Sequence, residues 1–398
     1  MKLAYKILPS LALTFGLSQS LLQADVIGAE QPILMKEAPA NGLMGTNDYN
    51  APSAKPYWQD VNGHMHPMNA PFFDAELLVW WANAQGLNGG VVNNNYSPST
   101  TIPQQASTLT YAENHSPHFS WDAGFRLGMG YALDHDTWDL YSSWTRFHTH
   151  ANTALNAIST SQVLYPSLSA VNADTSIGDL RADRAHGSWK IDTDFVDVEL
   201  GRQFFAGHYL SLRPHVGLRG AWVNHHHQIK YYNLVNSTTG GTTIPVDVLS
   251  LKSRFDGAGL RAGIDSEWTM GHGVSIYGDL AFSALYGRYR NHQFEAMGAL
   301  DLATASNTYL NYKDRYNDTN LLADIGLGLN WVPDLTCVCP TMRFTLSLGW
   351  EHHLILNQVQ FKKVSTYTSQ QGVKSSYLGQ IVSDLALQGL TIGGRLEF

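Results

Sequence analysis

Between residues 118 and 131 (HFSWDAGFRLGMGY) apolar and polar side chains take turns. Phe119, Trp121, Ala123, Phe125, Leu127, Met129 and Tyr131 fall on one side, and Ser120, Asp122, Gly124, Arg126, Gly128 and Gly130 on the other. A helix would scatter both sets around its circumference, whereas a strand separates them. The split recurs along the chain. Leu210, Leu212, Val216, Leu218 and Trp222 oppose Ser211, Arg213, His215, Gly217 and Arg219. Ala258, Leu260, Ala262, Ile264 and Trp268 oppose Gly259, Arg261, Gly263, Asp265 and Glu267. Segments 274–287, 321–331 and 341–351 repeat it, with Asp279, Asp324, Arg343 and Glu351 on polar faces. Segments 72–84 and 137–148 are noisier. Segment 189–203 changes phase near Phe195–Val196, which predicts a bulge.

Ten strands emerge by this reading, or twelve if two hide in the connections. Those connections alternate in length. Short ones fall near 132–136, 204–208, 269–273 and 332–340, and long ones near 85–117, 149–188, 224–253, 291–319 and 355–384. Short periplasmic turns and long external loops are the habit of outer-membrane barrels. The last segment, GLTIGGRLEF, places Leu390, Ile392, Leu396 and Phe398 on one face. A terminal aromatic there resembles the signal by which such barrels are recognised by the assembly machinery.

Composition separates a barrel in lipid from a soluble sandwich, since both alternate. Charged residues are 15% of the chain, against about 25% in soluble domains. The polar faces are glycine-rich, as at Gly128, Gly130, Gly259, Gly263, Gly326 and Gly349. Glycine weakens a strand facing water, but it suits a face turned into a confined lumen. Closure then satisfies the backbone groups that lipid would leave unpaired. Trp121, Tyr131, Trp138, Trp222, Trp268, Tyr286, Trp331 and Trp350 lie near segment ends, as interfacial girdles do. The formal charge of −8 disfavours nucleic acid as a partner.

Ahead of the alternating body, residues 1–24 combine Lys2 and Lys6 with an apolar run and a small-residue exit after Ala24, the pattern of a secretory signal peptide. Residues 25–71 hold Pro32, Pro39, Pro52, Pro56, Pro67 and Pro71 and no periodicity. They are expected to be an irregular periplasmic or luminal lead. The barrel is expected over 72–398. The expected class is therefore all-β: a closed antiparallel transmembrane barrel in the bacterial outer membrane, narrower than a general porin.

The stretches FFDAELLVWWA (72–82), FSWDAGFRLGMGYALDHDTWDLYSSWTRFH (119–148) and LSLRPHVGLRGAWVNHHH (210–227) resemble the Legionella-type major outer membrane protein family, versions of which occur in Chlamydia-related bacteria. The resemblance implies a porin-like protein with no catalytic motif. Members of this kind are often cross-linked through cysteine. Here Cys337 and Cys339 stand one residue apart in a predicted periplasmic turn, in a compartment that permits disulfides; intermolecular pairing and a strained local bridge are both open.

The polar faces also carry the candidate chemistry. Inward arginines are expected at Arg126, Arg213, Arg219, Arg261, Arg343 and Arg395, and inward acids at Asp122, Asp265, Asp279, Asp324 and Glu351, joined by Glu267 and Glu397. Two outcomes are open: a mixed-charge lumen that filters small solutes and ions, or one plugged by arginine–carboxylate ladders. His225, His226 and His227 are expected at the base of an external loop. Three consecutive extended residues cannot share one metal. His64, Met65, His66 and Met68 form a weak soft-metal pattern, and no metal or cofactor is expected. The enzyme alternative would need groups such as His148, His150, Asp183 and Asp194 to converge, and neither GxSxG nor HExxH occurs. A surface antigen or adhesin, and a homo-oligomer, are compatible with the same barrel.

Overall fold

The computed structural model describes most of residues 70–398 together with 57–59 and 65–67; outside it lie 1–56, 60–64, 68–69, 85, 88, 94–111, 115–116, 134–136, 158–161, 171–179, 237–242, 299–307, 334–341 and 369–373. The expected signal peptide, almost all of the proline-rich lead, Cys337, Cys339, His64 and Met68 therefore fall outside the described residues.

Ten long strands build the body: β1 (Ala70–Ala84), β2 (Trp121–Ala132), β3 (Trp138–Asn156), β4 (Arg184–Arg202), β5 (Leu210–Asn236), β6 (Thr243–Gly271), β7 (Val274–Met297), β8 (Thr308–Trp331), β9 (Arg343–Thr368) and β10 (Lys374–Glu397). Each pairs antiparallel with two neighbours, in the order β5-β4-β3-β2-β1-β10-β9-β8-β7-β6, and β6 returns to pair with β5. The ring is closed. Its count is ten, not twelve. Closure is what an acyl environment requires, because in the lipid-embedded half no strand edge is left with unpaired amides; above it β8 and β9 part after Leu322↔Ile355.

The outer wall carries a greasy belt. Leu218, Leu260, Phe282 and Leu327 are all more than half exposed, which no surface in water would tolerate over such an area. On β6 the outward positions run from Ala258 to Trp268, ten steps that span about 24 Å at a tilt of about 45°. Trp121, Trp222, Tyr286 and Trp350 are exposed along its external margin, and Tyr131, Trp268 and Trp331 along its periplasmic one. Phe398 packs edge-on against Phe73 at 6.0 Å and donates its backbone amide to Pro71 O at 3.3 Å, beside the periplasmic start of β1.

Two expectations about the external side need correction. The predicted long loops at 224–253, 291–319 and 355–384 are largely strand. β5 and β6 stay paired from Leu210↔Trp268 up to Val235↔Thr243, and β9 pairs with β10 as far as Thr368↔Lys374. Nor is there a bulge at Phe195–Val196, because β4 holds one register with β3 and β5 throughout. The phase change is an inversion of polarity. Below it Val196, Val198 and Leu200 point outward, with Asp197 and Glu199 inside; above it Lys190 and Asp192 point outward, with Trp189 and Ile191 inside. There the strand leaves lipid for water, so the apolar residues change sides while the pleat does not.

Candidate functional site

Inside the lipid-embedded half lies a cavity of about 380 Å³. Eleven carboxylates and six arginines line it. Of the residues singled out from sequence, Arg126, Arg213, Arg219, Arg261, Asp265, Asp279, Asp324, Arg343, Glu351 and Arg395 all reach it, as do Glu267 and Glu397. Asp122 does not: it shares their inward parity but sits toward the external end of β2, where it accepts a bond from Thr149 Oγ1 at 2.6 Å.

Alternate inward positions on neighbouring strands stack these groups into a lattice. Arg126 donates to Glu76 Oε2 at 2.6 Å and to both oxygens of Glu351 at 3.0 and 2.8 Å. Glu351 meets His353 Nε2 at 2.9 Å, and His353 Nδ1 lies 2.8 Å from Asp324. When both carboxylates are ionised they can only accept, so this pairing uses both ring nitrogens as donors. Asp324 takes Arg219 Nη1 at 2.6 Å and also Arg261. Arg219 grips Asp197 bidentately at 2.6 and 2.7 Å, and Arg261 reaches Glu199 at 2.7 Å. Toward the periplasm Arg213 holds Asp139 at 2.8 and 2.5 Å and Asp265 at 2.7 Å. Planar guanidinium forks are suited to bridging two carboxylates in this way. Arg126 and Arg219 tie strands that are not neighbours in the ring, so the lattice spans the lumen.

The glycines are the seats of this lattice. A Cβ on Gly201 would stand 2.5 Å from Arg213 Nε, and one on Gly263 would stand 2.7 Å from His215 Nε2. At Gly128 it would strike the Asp74 carboxylate and the Tyr141 hydroxyl. The inward glycine stripe leaves room for a neighbour's charged side chain.

Sequence reasoning missed Glu76, Asp139, Asp197, Glu199, His215 and His353. Four of them lie in the noisy segments 72–84, 137–148 and 189–203, and parity is the signal that could have found them. It also missed what lies above. The external half is filled by an apolar core in which Trp80, Phe147, Trp189, Tyr231, Phe255 and Phe361 are fully buried. Connection residues complete the fill: Leu87 and Leu164 are inaccessible, and Val91–Asn93 pairs with Val163–Tyr165. Tyr231 donates to Gly89 O at 2.6 Å, Lys363 to Ser167 O at 2.5 Å, and Glu295 accepts from Ser169 Oγ at 2.5 Å and from the Ala170 amide.

The histidine run is strand rather than loop base. His225 and His227 point into this cap while His226 faces outward. Burial pushes the His225 and His227 imidazoles down to about 3. Burial, and then Glu295 beside it, push the Asp247 carboxyl well above the usual carboxylate range. Among the described residues no cluster of three or more histidine, cysteine or acidic groups could hold a metal. Of the groups considered for hydrolysis, Asp183 accepts from Asn233 at 3.0 Å, Asp194 from Trp144 Nε1 at 3.3 Å, and His150 stands 4.0 Å from Asp122.

Residues 72–398 match the family described as Legionella pneumophila major outer membrane protein precursor. The chain belongs to that family. It is therefore an outer-membrane protein in contact with the lipid bilayer. Among solved structures it is similar to the outer membrane protease OmpT of Escherichia coli (9% identity, 83% of this chain and 97% of that one, TM-score 0.41). It is also similar to the Pseudomonas putida toluene transporter TodX (9%, 83% and 89%, TM-score 0.23) and to a Pseudomonas aeruginosa FadL homologue (6%, 83% and 90%, TM-score 0.22). No curated protein matches the chain.

Proposed function

We propose that the protein is a narrow, porin-like barrel that prefers small cations and small polar solutes and is shut at rest on its external side. The carrying observation is the excess of carboxylate in the cavity, eleven against six arginines. Asp279 has no hydrogen-bond or ion-pair partner among the described residues, and Glu267 is bonded only by Ser275 and Asn330. Rings of uncompensated acid favour cations in a confined, low-dielectric passage. The arginines then brace the wall. Passage outward requires the cap to yield, so conductance is small and intermittent. On this reading the protein is a conduit rather than a hydrolase, its last strand with Phe398 is what the assembly machinery recognises, and its external strands serve as a major surface face.

A planar bilayer holding the purified, refolded protein under a salt gradient tests this. Brief, cation-selective openings are expected. Asp279→Asn with Glu267→Gln should weaken the preference, and Glu295→Ala, which frees Ser169 and Ala170, should lengthen the openings. A second reading, a structural barrel whose lumen never opens, is favoured by the apolar cap. Silence from both the native protein and Glu295→Ala would establish it in place of the conduit.

A further inference from the structure

Just outside the aromatic margin the wall of β4–β8 presents an arrangement that the lumen does not explain. The pairing places Lys190 opposite His226, His226 opposite Lys252, Lys252 opposite His292 and His292 opposite Lys313. One rung closer to the lipid, Arg254 stands opposite Arg290 and Arg290 opposite Arg315. All these side chains lie on the outward parity, that of Trp222, Leu260, Tyr286 and Leu321, and none is buried. Like charges directly opposite one another on paired strands destabilise a sheet. The arginine rung does this directly, and in the rung above it lysines stand on either side of His226 and His292. On this stretch of β6–β8 the outer wall offers a single carboxylate, Asp256, which Arg254 holds at 2.9 Å and Arg290 also meets. No ion pair joins Arg288, Arg315, Lys252 or Lys313 to a carboxylate among the described residues. Burial first, and then Lys252 and Lys190, push the His226 imidazole below its ordinary range, as expected in an uncompensated positive field.

Height identifies what compensates it. Successive outward rungs lie about 7 Å apart along a strand. Arg254 is thus one rung above the level of Trp222 and Arg290 two above Tyr286, and the Lys252–Lys313 rung is one further; on strands tilted by about 45° these rungs cover the depth of the lipid headgroups. Belts of this kind attract anionic headgroups with about 1 kcal/mol for each Lys or Arg near the surface.

We propose that this face binds anionic, phosphate-bearing headgroups of lipids in the external leaflet, with the Arg254–Arg290–Arg315 rung gripping phosphate and the Lys252–Lys313 rung adding attraction from above. The site does not depend on whether the lumen conducts. Bound phosphate removes the cross-strand repulsion, so the lipid completes the outer wall.

The test uses the full refolded barrel in phosphatidylcholine vesicles with trace spin-labelled phosphatidic acid or spin-labelled phosphatidylcholine, and reads the lipid fraction held at the protein surface. Phosphatidic acid should be preferred at least about fivefold. R254Q/R290Q/R315Q should remove most of that preference, and R254K/R290K/R315K should keep most of it. In phosphatidylcholine alone the glutamine variant should unfold at the same temperature as the native protein or higher, because repulsion has been relieved. Added phosphatidic acid should raise the unfolding temperature of the native barrel only. Heat-modifiable gel mobility checks folding. If the triple variant does not fold, K252Q/K313Q should show a smaller loss of the same preference. Equal affinity for the two lipids, or a preference that survives these substitutions, overturns the proposal. So does equal stabilisation by the same concentration of inorganic phosphate, which would mean a soluble-anion site.

Discussion

The two halves of this barrel are built by opposite rules on the same ten strands. In lipid the outward face is Leu, Val, Ile and Trp and the inward face is charged. Above the lipid the outward face is Lys, Asp, Asn and His, and the inward face is Trp189, Phe255, Phe361 and their neighbours. Strand β4 crosses between the two without a register slip. The pleat is indifferent to which face is apolar; the surrounding medium decides. The upper half is therefore a water-soluble β-structure with a hydrophobic core, standing on a membrane barrel with an electrostatic one. Hydrophobic burial holds the first, and an arginine–carboxylate lattice holds the second.

That contrast can be broken most forcefully in the lattice. Arg219→Ala leaves Asp197 and Asp324 facing each other without their shared cation, and removing one partner of a buried ion pair costs about 4 kcal/mol. A shift of that size in urea unfolding of the refolded barrel is expected, whereas a more exposed pair such as Arg146–Asp194 should show little when it is cut. In the cap, Phe361→Ala should cost about 3 kcal/mol through transfer loss and a cavity. Its loss should be read in hydrogen exchange of the external strand ends, with the amides of the lipid-embedded half still protected. Gly128→Val, which drives side-chain atoms into Asp74 and Tyr141, should cost about 2 kcal/mol by overpacking and should narrow the cavity rather than loosen the cap.

Acid discriminates the halves more gently. His225 and His227 are held near 3 in the folded cap against about 6.5 when exposed, so the folded cap binds fewer protons than the opened one. Their contribution is complete above pH 6.5 and is lost as the pH falls toward 3. Asp247, whose folded value is raised, has the opposite sign and loses its contribution as the pH rises above the ordinary carboxylate range. The histidine effect is therefore read in Asp247→Asn, where the protection of cap amides, corrected for the slower chemical exchange in acid, should be at least about tenfold lower at pH 4 than at pH 7. A flat profile in that variant would remove the two histidines from the account. The smallest effect is expected from Tyr231→Phe, which deletes the bond to Gly89 O at a cost of about 1 kcal/mol. It should raise exchange in residues 86–93 and leave the lattice intact.

Much of this was legible without coordinates. Period-two alternation at 118–131, 210–222, 257–268, 274–287, 321–331 and 341–351 identified most of the membrane strands, their facing and, with the last segment, twelve of the residues around the cavity, because lipid on one side and a polar lumen on the other write a full-contrast pattern into the chain. The external extensions were read as loops, since outward Asn224, His226, Gln228 and Lys230 erase that contrast. Asp122 was placed with the lumen because parity reports which way a side chain points but not how high it stands.

What the sequence determined by itself is the local rule: extended chain, two unlike faces, and a lipid-exposed belt edged with aromatics. Those follow from side-chain order along one strand and need no knowledge of its neighbours. Only the tertiary structure decided which strand lies beside which, and hence that Asp324 meets Arg219, Arg261 and His353, that a hydrophobic cap seals the external half, and that Arg254, Arg290 and Arg315 form one rung. Register between segments tens of residues apart is set by closure of the ring, and no single segment records it.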